Sequence, residues 1–188
     1  MALALALAWG AGLRVYAVLF LCGLAGRLGW VDLPGHLTVL SHPLVLGASG
    51  FMLAGEFFAD KLPWLDSVWD AAHTFIRIPA GAALMAMAIG GDSSAVTAAA
   101  VILGGTVAAG AHFAKAGARG AINLSPEPFS NWTASLTEDA LVPAGLWLAV
   151  VHPVAFLVLL AASALAALLL LRWLWRGLRA AAGRLKAR

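Results

Sequence analysis

Long apolar runs separated by short polar segments dominate the pattern along the chain. A helix needs about 20 apolar residues to cross the hydrocarbon core of a bilayer, and fewer when flanking side chains reach the interface. The pattern predicts six transmembrane helices, at residues 2–25, 44–59, 64–89, 96–114, 140–151 and 153–171. We therefore expect an all-α fold, a polytopic helical membrane protein.

Turn-forming residues separate the predicted helices. Gly90 and Gly91 precede Asp92 and Ser93 and predict a tight turn before the fourth helix. Proline disfavours helix in the residue before it, so His152-Pro153 predicts a break between the last two helices. Residues 26–43 contain several charged residues and prolines and are interpreted as a loop or an interfacial segment.

The composition agrees with this fold class and excludes others. Hydrophobic residues make up 62% of the 188 residues and charged residues only 11%, whereas soluble domains have about 45–50% and about 25%. A soluble enzyme, a disordered chain and a nucleic-acid binder are excluded on this ground, despite a pI of 9.6. The single cysteine, Cys22, excludes a disulfide framework and a cysteine-based zinc site. Residues 1–188 are interpreted as one integral-membrane domain whose partners include membrane lipids and not nucleic acid.

Basic residues predict the orientation of the domain. With six crossings, the polar segments 60–77 and 115–139 and both termini share one side. That side carries Lys61, Arg77, Lys115, Arg119 and the basic residues of a tail at 172–188, and the other side carries Arg27 alone. The positive-inside rule then places both termini and the tail in the cytoplasm.

Two stretches of the sequence resemble each other and predict an internal two-helix repeat. Residues 55–60 and 110–115 each end a predicted helix, and each is followed by a polar segment and a Pro-Ala-Gly triplet, at 79–81 and 143–145. The repeat units are about 44–90 and 96–151, and they are parallel under this crossing count. Transporter folds often arise by such duplication, with the working site at the repeat interface. Each proline either breaks a helix inside the membrane or occupies the first turn of one.

Charged residues collect at the matching ends of these units. Asp66, Asp70, His73 and Arg77 share one face of a helix because their spacings are four, three and four. Acidic residues end the second helix and basic residues end the fourth, so we expect ion pairs between the units: Asp60 with Lys115, and Arg77 with Glu138 or Asp139. The candidate ion- or solute-binding residues are Glu56, Asp60, Asp70, His73, Arg77, Lys115, Arg119, Asn123, Glu138 and Asp139.

Three interpretations of these charges remain open. Charged groups at membrane depth are costly and usually functional, which favours a water-filled cavity for an ion or small solute. Near helix ends the same groups reach the interface cheaply, which favours structural salt bridges between two helical hairpins. An interfacial site for a lipid headgroup is the third. Glu56 lies within an apolar run, and we expect it to respond to a proton or a cation or to form a structural hydrogen bond.

Metal binding is left open. His73 with Asp66, Asp70 or Glu56 could bind a divalent cation, but no closed metal motif is present. Apolar residues flank His112, which favours a hydrogen-bonded core histidine. No serine elbow, Walker loop or dinucleotide fingerprint is present, so we expect no cofactor and no enzymatic activity.

Four motifs carry a resemblance to a known family: residues 55–61 (GEFFADK), 69–81 (WDAAHTFIRIPAG), 115–119 (KAGAR) and 125–131 (SPEPFSN). Together they resemble an uncharacterised bacterial family, domain of unknown function four-one-two-six, over about residues 12–152. The resemblance implies a small polytopic protein of the bacterial inner membrane. It implies no activity.

The function we predict is a small membrane transporter or channel for an ion or small polar solute. Its site lies between the two repeats near the cytoplasmic face, and transport is coupled to protons through Glu56. Because six short helices enclose little space, we expect a homodimer. The alternative is a non-transporting scaffold or lipid-interacting protein whose charges are structural salt bridges.

Overall fold

A computed structural model describes residues 1–122 and 128–186, with side chains left out at 63, 64, 67, 128, 170, 171, 173–175 and 177–186. Within these ranges the chain is all-α, as predicted, and contains no strand. The helices are α1 (Ala2–Arg27), a 3₁₀ helix (Gly35–Ser41), α2 (Pro43–Ala59), α3 (Pro63–Ile89), α4 (Ser94–Ile122), α5 (Pro128–Val151) and α6 (Pro153–Lys186).

Several of these helices are long and apolar enough to cross a membrane. In the described chain, four stretches have the length and composition of a membrane span: α1, α4, the part of α3 from Val68 and the part of α5 from Phe129. The 3₁₀ helix and α2 together make a fifth, bent by 66°, and Pro153–Leu169 of α6 is a shorter apolar helix. The protein is therefore of the multi-pass helical membrane type, and the count of six crossings and the internal repeat stay predictions.

Two predicted helix boundaries are confirmed. Gly90 and Gly91 have φ angles of +63° and +107°, a region that favours glycine, and they separate α3 from α4. The helix α5 ends at Val151 and α6 begins at Pro153.

Two other expectations are wrong. The helix ends predicted at residues 114 and 140 are wrong, because α4 continues to Ile122 and α5 begins at Pro128, whereas the third helix begins near residue 64 as predicted. In the described parts of the segments 60–77 and 115–139, six charged residues are buried: Asp60, Asp66, Asp70, Arg77, Lys115 and Arg119. In addition, Pro79 and Pro143 neither break a helix nor begin one, since they lie inside α3 and α5.

The break in a helix lies in α1 instead, at Arg14. This residue has a non-helical backbone, with φ −147° and ψ 83°. A Cβ atom placed on Gly10 would lie 2.7 Å from Cγ2 of Val18, although a straight helix separates residues eight positions apart by about 12 Å. The helix therefore folds back on itself at Arg14 and forms two arms, residues 2–13 and 15–27.

Both arms of α1 lead away from Arg14 towards the same end of the bundle. In the first arm, Ala4 packs with Met85 and Ala100. In the second arm, Gly23 lies against the carbonyl of Leu40 and the side chain of Leu46, at the start of α2. Arms of 12 or 13 residues extend about 18–20 Å, less than the hydrocarbon thickness of about 30 Å. Thus α1 has the length and composition of a span, but its backbone is not one straight crossing.

Small residues let α1, α3 and α4 approach closely beside this bend. A Cβ atom on Gly104 would lie 2.7 Å from the carbonyl oxygen of Gly81 and 2.7 Å from Cβ of Met85. One on Gly12 would collide with the carbonyl of Ala108. Close backbone contact through small residues is the usual way in which membrane helices pack. This packing holds the bend of α1 between α3 and α4.

We predict opposite effects for two glycine substitutions in α4. Gly104→Ala must displace backbone atoms of α3 and should cost about 1–3 kcal/mol of stability. Gly117→Ala meets open space and should be neutral or stabilise by up to about 1 kcal/mol, since alanine favours helix. Thermal unfolding in detergent measures both, and equal melting temperatures for the two variants would contradict the close packing of α3 and α4.

Candidate functional site

The site is a cluster of charged side chains where five helices meet. The bend of α1 contributes Arg14, the end of α2 and the turn after it contribute two acids, and α3, α4 and α5 contribute the rest. We call these ten residues the charged network: Arg14, Glu56, Asp60, Asp66, Asp70, Arg77, Lys115, Arg119, Glu138 and Asp139. The first eight are at most 5% exposed, and the side chains of Glu138 and Asp139 are 13% and 25% exposed.

Arg77 lies in the membrane-spanning part of α3 and binds two carboxylates, one from α2 and one from α3. Its Nη2 lies 2.6 Å from Oε1 of Glu56, and its Nη1 lies 2.5 Å from Oδ1 of Asp70. Nη1 is also 3.4 Å from Nδ1 of His112. Arg77 lies 12 residues before α3 ends at Ile89, which is about 18 Å along the helix axis. This part of the network therefore lies well within the span and not at its rim.

Arg14 joins the bend of α1 to α2 and α5. Its Nη2 lies 2.5 Å from Oδ2 of Asp60, and its Nη1 lies 3.1 Å from Oδ1 of Asp139. Nη2 also donates to the hydroxyl of Ser135 at 3.2 Å. The bend is thus fastened to two helices by charge-assisted contacts, which are stronger than neutral hydrogen bonds.

Lys115 lies at the centre of the network. Its Nζ is 3.2 Å from Glu138, 3.4 Å from Asp70 and 3.8 Å from Asp60. The same ammonium donates at 3.3 Å to the carbonyl oxygen of Leu13, directly before the break in α1. An interrupted helix leaves carbonyl groups without their usual donor, and here a lysine from α4 supplies one.

Arg119 connects α4 to the start of α5. Its Nε and Nη2 bind the two oxygens of Glu138 at 3.0 and 3.1 Å, and its Nη1 donates at 2.6 Å to Oδ1 of Asn131. The Nδ2 of Asn131 donates in turn to the carbonyl oxygen of Asp60 at 3.0 Å. Asn131 therefore links Arg119 to the end of α2.

Two histidines lie beside the network with polar partners. Nδ1 of His73 lies 2.7 Å from the carbonyl oxygen of Trp69, and its Nε2 lies 3.1 Å from the hydroxyl of Tyr16. A carbonyl only accepts, so in the neutral ring Nδ1 donates and Nε2 accepts from Tyr16. His112 is buried and lies 2.7 Å from the hydroxyl of Thr74, as expected for a hydrogen-bonded core histidine.

The structure brings nine of the ten candidate residues to this one place. Eight belong to the network and His73 borders it, while Asn123 lies outside the described residues. The expected pair of Asp60 with Lys115 is present, at 3.8 Å. The expected pairing of Arg77 with Glu138 or Asp139 is wrong, because Arg77 binds Glu56 and Asp70 in the half of the site formed by α2 and α3.

Several site residues lie outside the sequence-derived set. Arg14 was visible as the one charge in the first apolar run, but nothing in the sequence named its partners. Asp66 shares a helix face with Asp70, and its burial follows only from the packing of α4 against α3. Asn131 lies in the polar segment 115–139, where no helix is predicted, whereas the structure has it as a buried residue of α5.

The network contains two more carboxylates than cations. Its acids are Glu56, Asp60, Asp66, Asp70, Glu138 and Asp139, and its cations are Arg14, Arg77, Lys115 and Arg119. Isolated charge is costly away from water, so such a surplus calls for protons or a bound cation. In the part of the chain that the structure describes, no group of three or more metal-ligating side chains has the geometry of a metal site.

We predict that Arg14 is essential for stability. Arg14→Gln leaves Asp60 and Asp139 without their nearest cation, and breaking a buried pair in this way should cost about 3–5 kcal/mol. The exposed Arg27, which donates one hydrogen bond to the carbonyl of Ser41, supplies the control. Arg27→Gln should lower the melting temperature in detergent little, and an equally small effect of Arg14→Gln would contradict the role of the bend.

Comparison with known families finds a match over most of the chain. A family model described as Domain of unknown function (DUF4126) matches residues 1–173. Comparison with curated proteins and with solved structures gives no match.

Proposed function

The chain belongs to the DUF4126 family, and we propose that it is a small membrane transporter or channel for an ion or small polar solute, coupled to protons. The observation that carries this proposal is the charged network at the bend of α1, buried at membrane depth with two carboxylates in excess. The family description assigns no activity, so the proposal rests on the site.

The interrupted helix supports a transport site. Irregular backbone at membrane depth is tolerated where it is buried in protein or lines a cavity. Broken helices form the ion and substrate sites of many transporters, because their freed carbonyls and half-helix ends bind charged groups. Here the break at Arg14 lies against Lys115 of α4 and Asp60 after α2.

Shared ion pairs supply a means of changing state. Lys115 lies within 3.8 Å of carboxylates that belong to α3, α5 and the end of α2. When one of these acids is neutralised, the ammonium of Lys115 is attracted towards the carboxylates that remain ionised. Binding of a proton or a cation would therefore redistribute contacts between helices, as coupled transport requires.

Flux through reconstituted liposomes tests the proposal. We expect the wild-type protein to carry protons or cations, and we expect Glu56→Gln and Asp60→Asn to abolish most of that flux because each removes a network acid. The exposed Asp92 in the turn between α3 and α4 gives the matched control. Asp92→Asn should leave flux unchanged, and full flux in both network variants would contradict the assignment.

A structural scaffold is the second candidate function. It is favoured by the closed pairing of Arg77 with Glu56 and Asp70 and of Arg119 with Glu138. As a scaffold, the protein should show no flux in liposomes, and the double variant Arg14→Gln with Asp60→Asn should recover melting temperature relative to Arg14→Gln alone. Flux that depends on Glu56 would reject it.

The membrane placement completes the proposal. Lys61, Arg172 and Arg176 lie at the end of the bundle that holds the network, and Arg27 lies at the other end, so we place the tail in the cytoplasm of a bacterial inner membrane. Three of the basic residues used above to predict the orientation are buried in the network and are left out of this charge comparison: Arg77, Lys115 and Arg119. Because both arms of α1 lead away from the network, we place residue 1 opposite the tail and not beside it. The homodimer and the repeat stay predictions.

Cysteine labelling tests this placement. In a Cys22→Ser background, a cysteine inserted after Met1 should react with an impermeant maleimide from the same side as Asp92→Cys. Arg172→Cys should react only from the other side. Labelling of the inserted cysteine together with Arg172→Cys would show instead that both termini share a side, as the count of six straight crossings predicts.

A further inference from the structure

Asp66 differs from every other acid of the network in its distance from the nearest described cation. It is fully buried, and neither of its carboxylate oxygens has a hydrogen-bond partner among the described residues. The nearest described cation is Nη1 of Arg119, 4.0 Å from Oδ2. By contrast, Glu56 and Asp70 lie 2.6 and 2.5 Å from Arg77, and Asp60 lies 2.5 Å from Arg14.

The nearest cation to Asp66 is already engaged by other groups. Arg119 binds both oxygens of Glu138 and donates to the carbonyl and side chain of Asn131. The excess of carboxylates in the network therefore falls most clearly on Asp66, whose ionised form has no cation of its own.

The charged groups that face Asp66 come from three elements packed around it. They are Asp70 on α3 itself, Asp60 at the end of α2, and Arg119 and Lys115 on α4. Two of these are acids and two are bases, so they largely offset each other. Burial is the first cause of the raised pKa of Asp66, which lies at about 6 instead of 3.8.

Asp66 also lies near one end of its helix. It is the fourth residue of α3, outside the stretch Val68–Ile89 that is apolar enough to cross a membrane, and Leu62 directly before the helix is exposed. A proton that enters from the side where α3 begins therefore has about 5 Å of this helix to pass before it reaches Asp66.

We propose that Asp66 is the proton-binding site of the network, through which it exchanges protons with water on the side where α3 begins. The ligand is a proton alone: a hydronium ion donates H⁺ to the carboxylate, a neutral carboxylic acid forms, and water is released. This inference rests on the proposed proton-coupled function and moves the proton-responsive role from Glu56 to Asp66.

The contacts of Arg119 explain how this proton would affect the rest of the site. When Asp66 is neutral, Arg119 stays on Glu138 and Asn131. When Asp66 ionises, its carboxylate competes for the same guanidinium. Asn131 binds both Arg119 and the carbonyl of Asp60, and Asp60 binds Arg14, so a shift of Arg119 reaches the bend of α1 through three contacts.

Infrared difference titration of the full-length protein in liposomes tests the site without requiring flux. We expect a protonated-carboxyl band that titrates with a midpoint near pH 6, is lost in Asp66→Asn and survives in Asp92→Asn and Glu56→Gln. Asp66→Asn mimics the neutral form in size and should fold. Asp66→Glu keeps a carboxyl and should keep a titrating band with a displaced midpoint.

The outcomes separate this inference from the proposed function. A band that survives in Asp66→Asn, or one that disappears in Glu56→Gln, overturns the role of Asp66. If Asp66→Asn does not fold, the other two variants decide. Loss of the band in folded Glu56→Gln overturns the role of Asp66. A band that persists in Glu56→Gln and shifts its midpoint in Asp66→Glu supports that role. A band that requires Asp66 in a protein without flux supports the proton site and rejects transport. Flux in a protein whose band does not depend on Asp66 supports transport and rejects the proton site at Asp66.

Discussion

The contact of Arg14 with Asp60 is the interaction on which the site depends. It lies at the bend of α1, and its guanidinium also reaches Asp139, so one side chain ties together α1, the end of α2 and α5. A guanidinium in an apolar run is costly unless it is paired. The bend brings Arg14 to its partners, and Lys115 on α4 takes the carbonyl of Leu13 that the bend leaves free.

This arrangement puts a hydrogen-bonded, charged interior within a shell of apolar side chains. Exposed large residues such as Phe51, Phe75 and Phe113 lie on the outer faces of α2, α3 and α4, as expected where lipid is the surrounding solvent. Every helix from α1 to α5 gives one face to the network or to the glycine-mediated contacts beside it. The surplus of carboxylates then makes the state of the interior depend on bound protons or cations.

The sequence predicts the helices well and the site in part. The Gly90-Gly91 turn and the His152-Pro153 break follow from local backbone preferences, so they needed no tertiary information. The meeting of Glu56, Asp60 and Lys115 followed from matching positions in two similar segments. The bend at Arg14 could not be predicted, because its stability comes from Asp60 and Asp139, which are distant in sequence. For the same reason Arg77 was assigned to partners on α5, although acids on α2 and α3 lie closer to it.

The central claim is that α1 folds back at Arg14 and thereby assembles the charged network. Cysteines at positions 10 and 18, introduced as Gly10→Cys and Val18→Cys in a Cys22→Ser background, test it directly. A disulfide requires Cβ atoms within about 4.5 Å, which the folded-back arms allow and a straight helix, with about 12 Å between these residues, does not. Mass spectrometry after oxidation and alkylation should show an intramolecular disulfide in the membrane-embedded protein. Two alkylated thiols in the folded protein would contradict the bend.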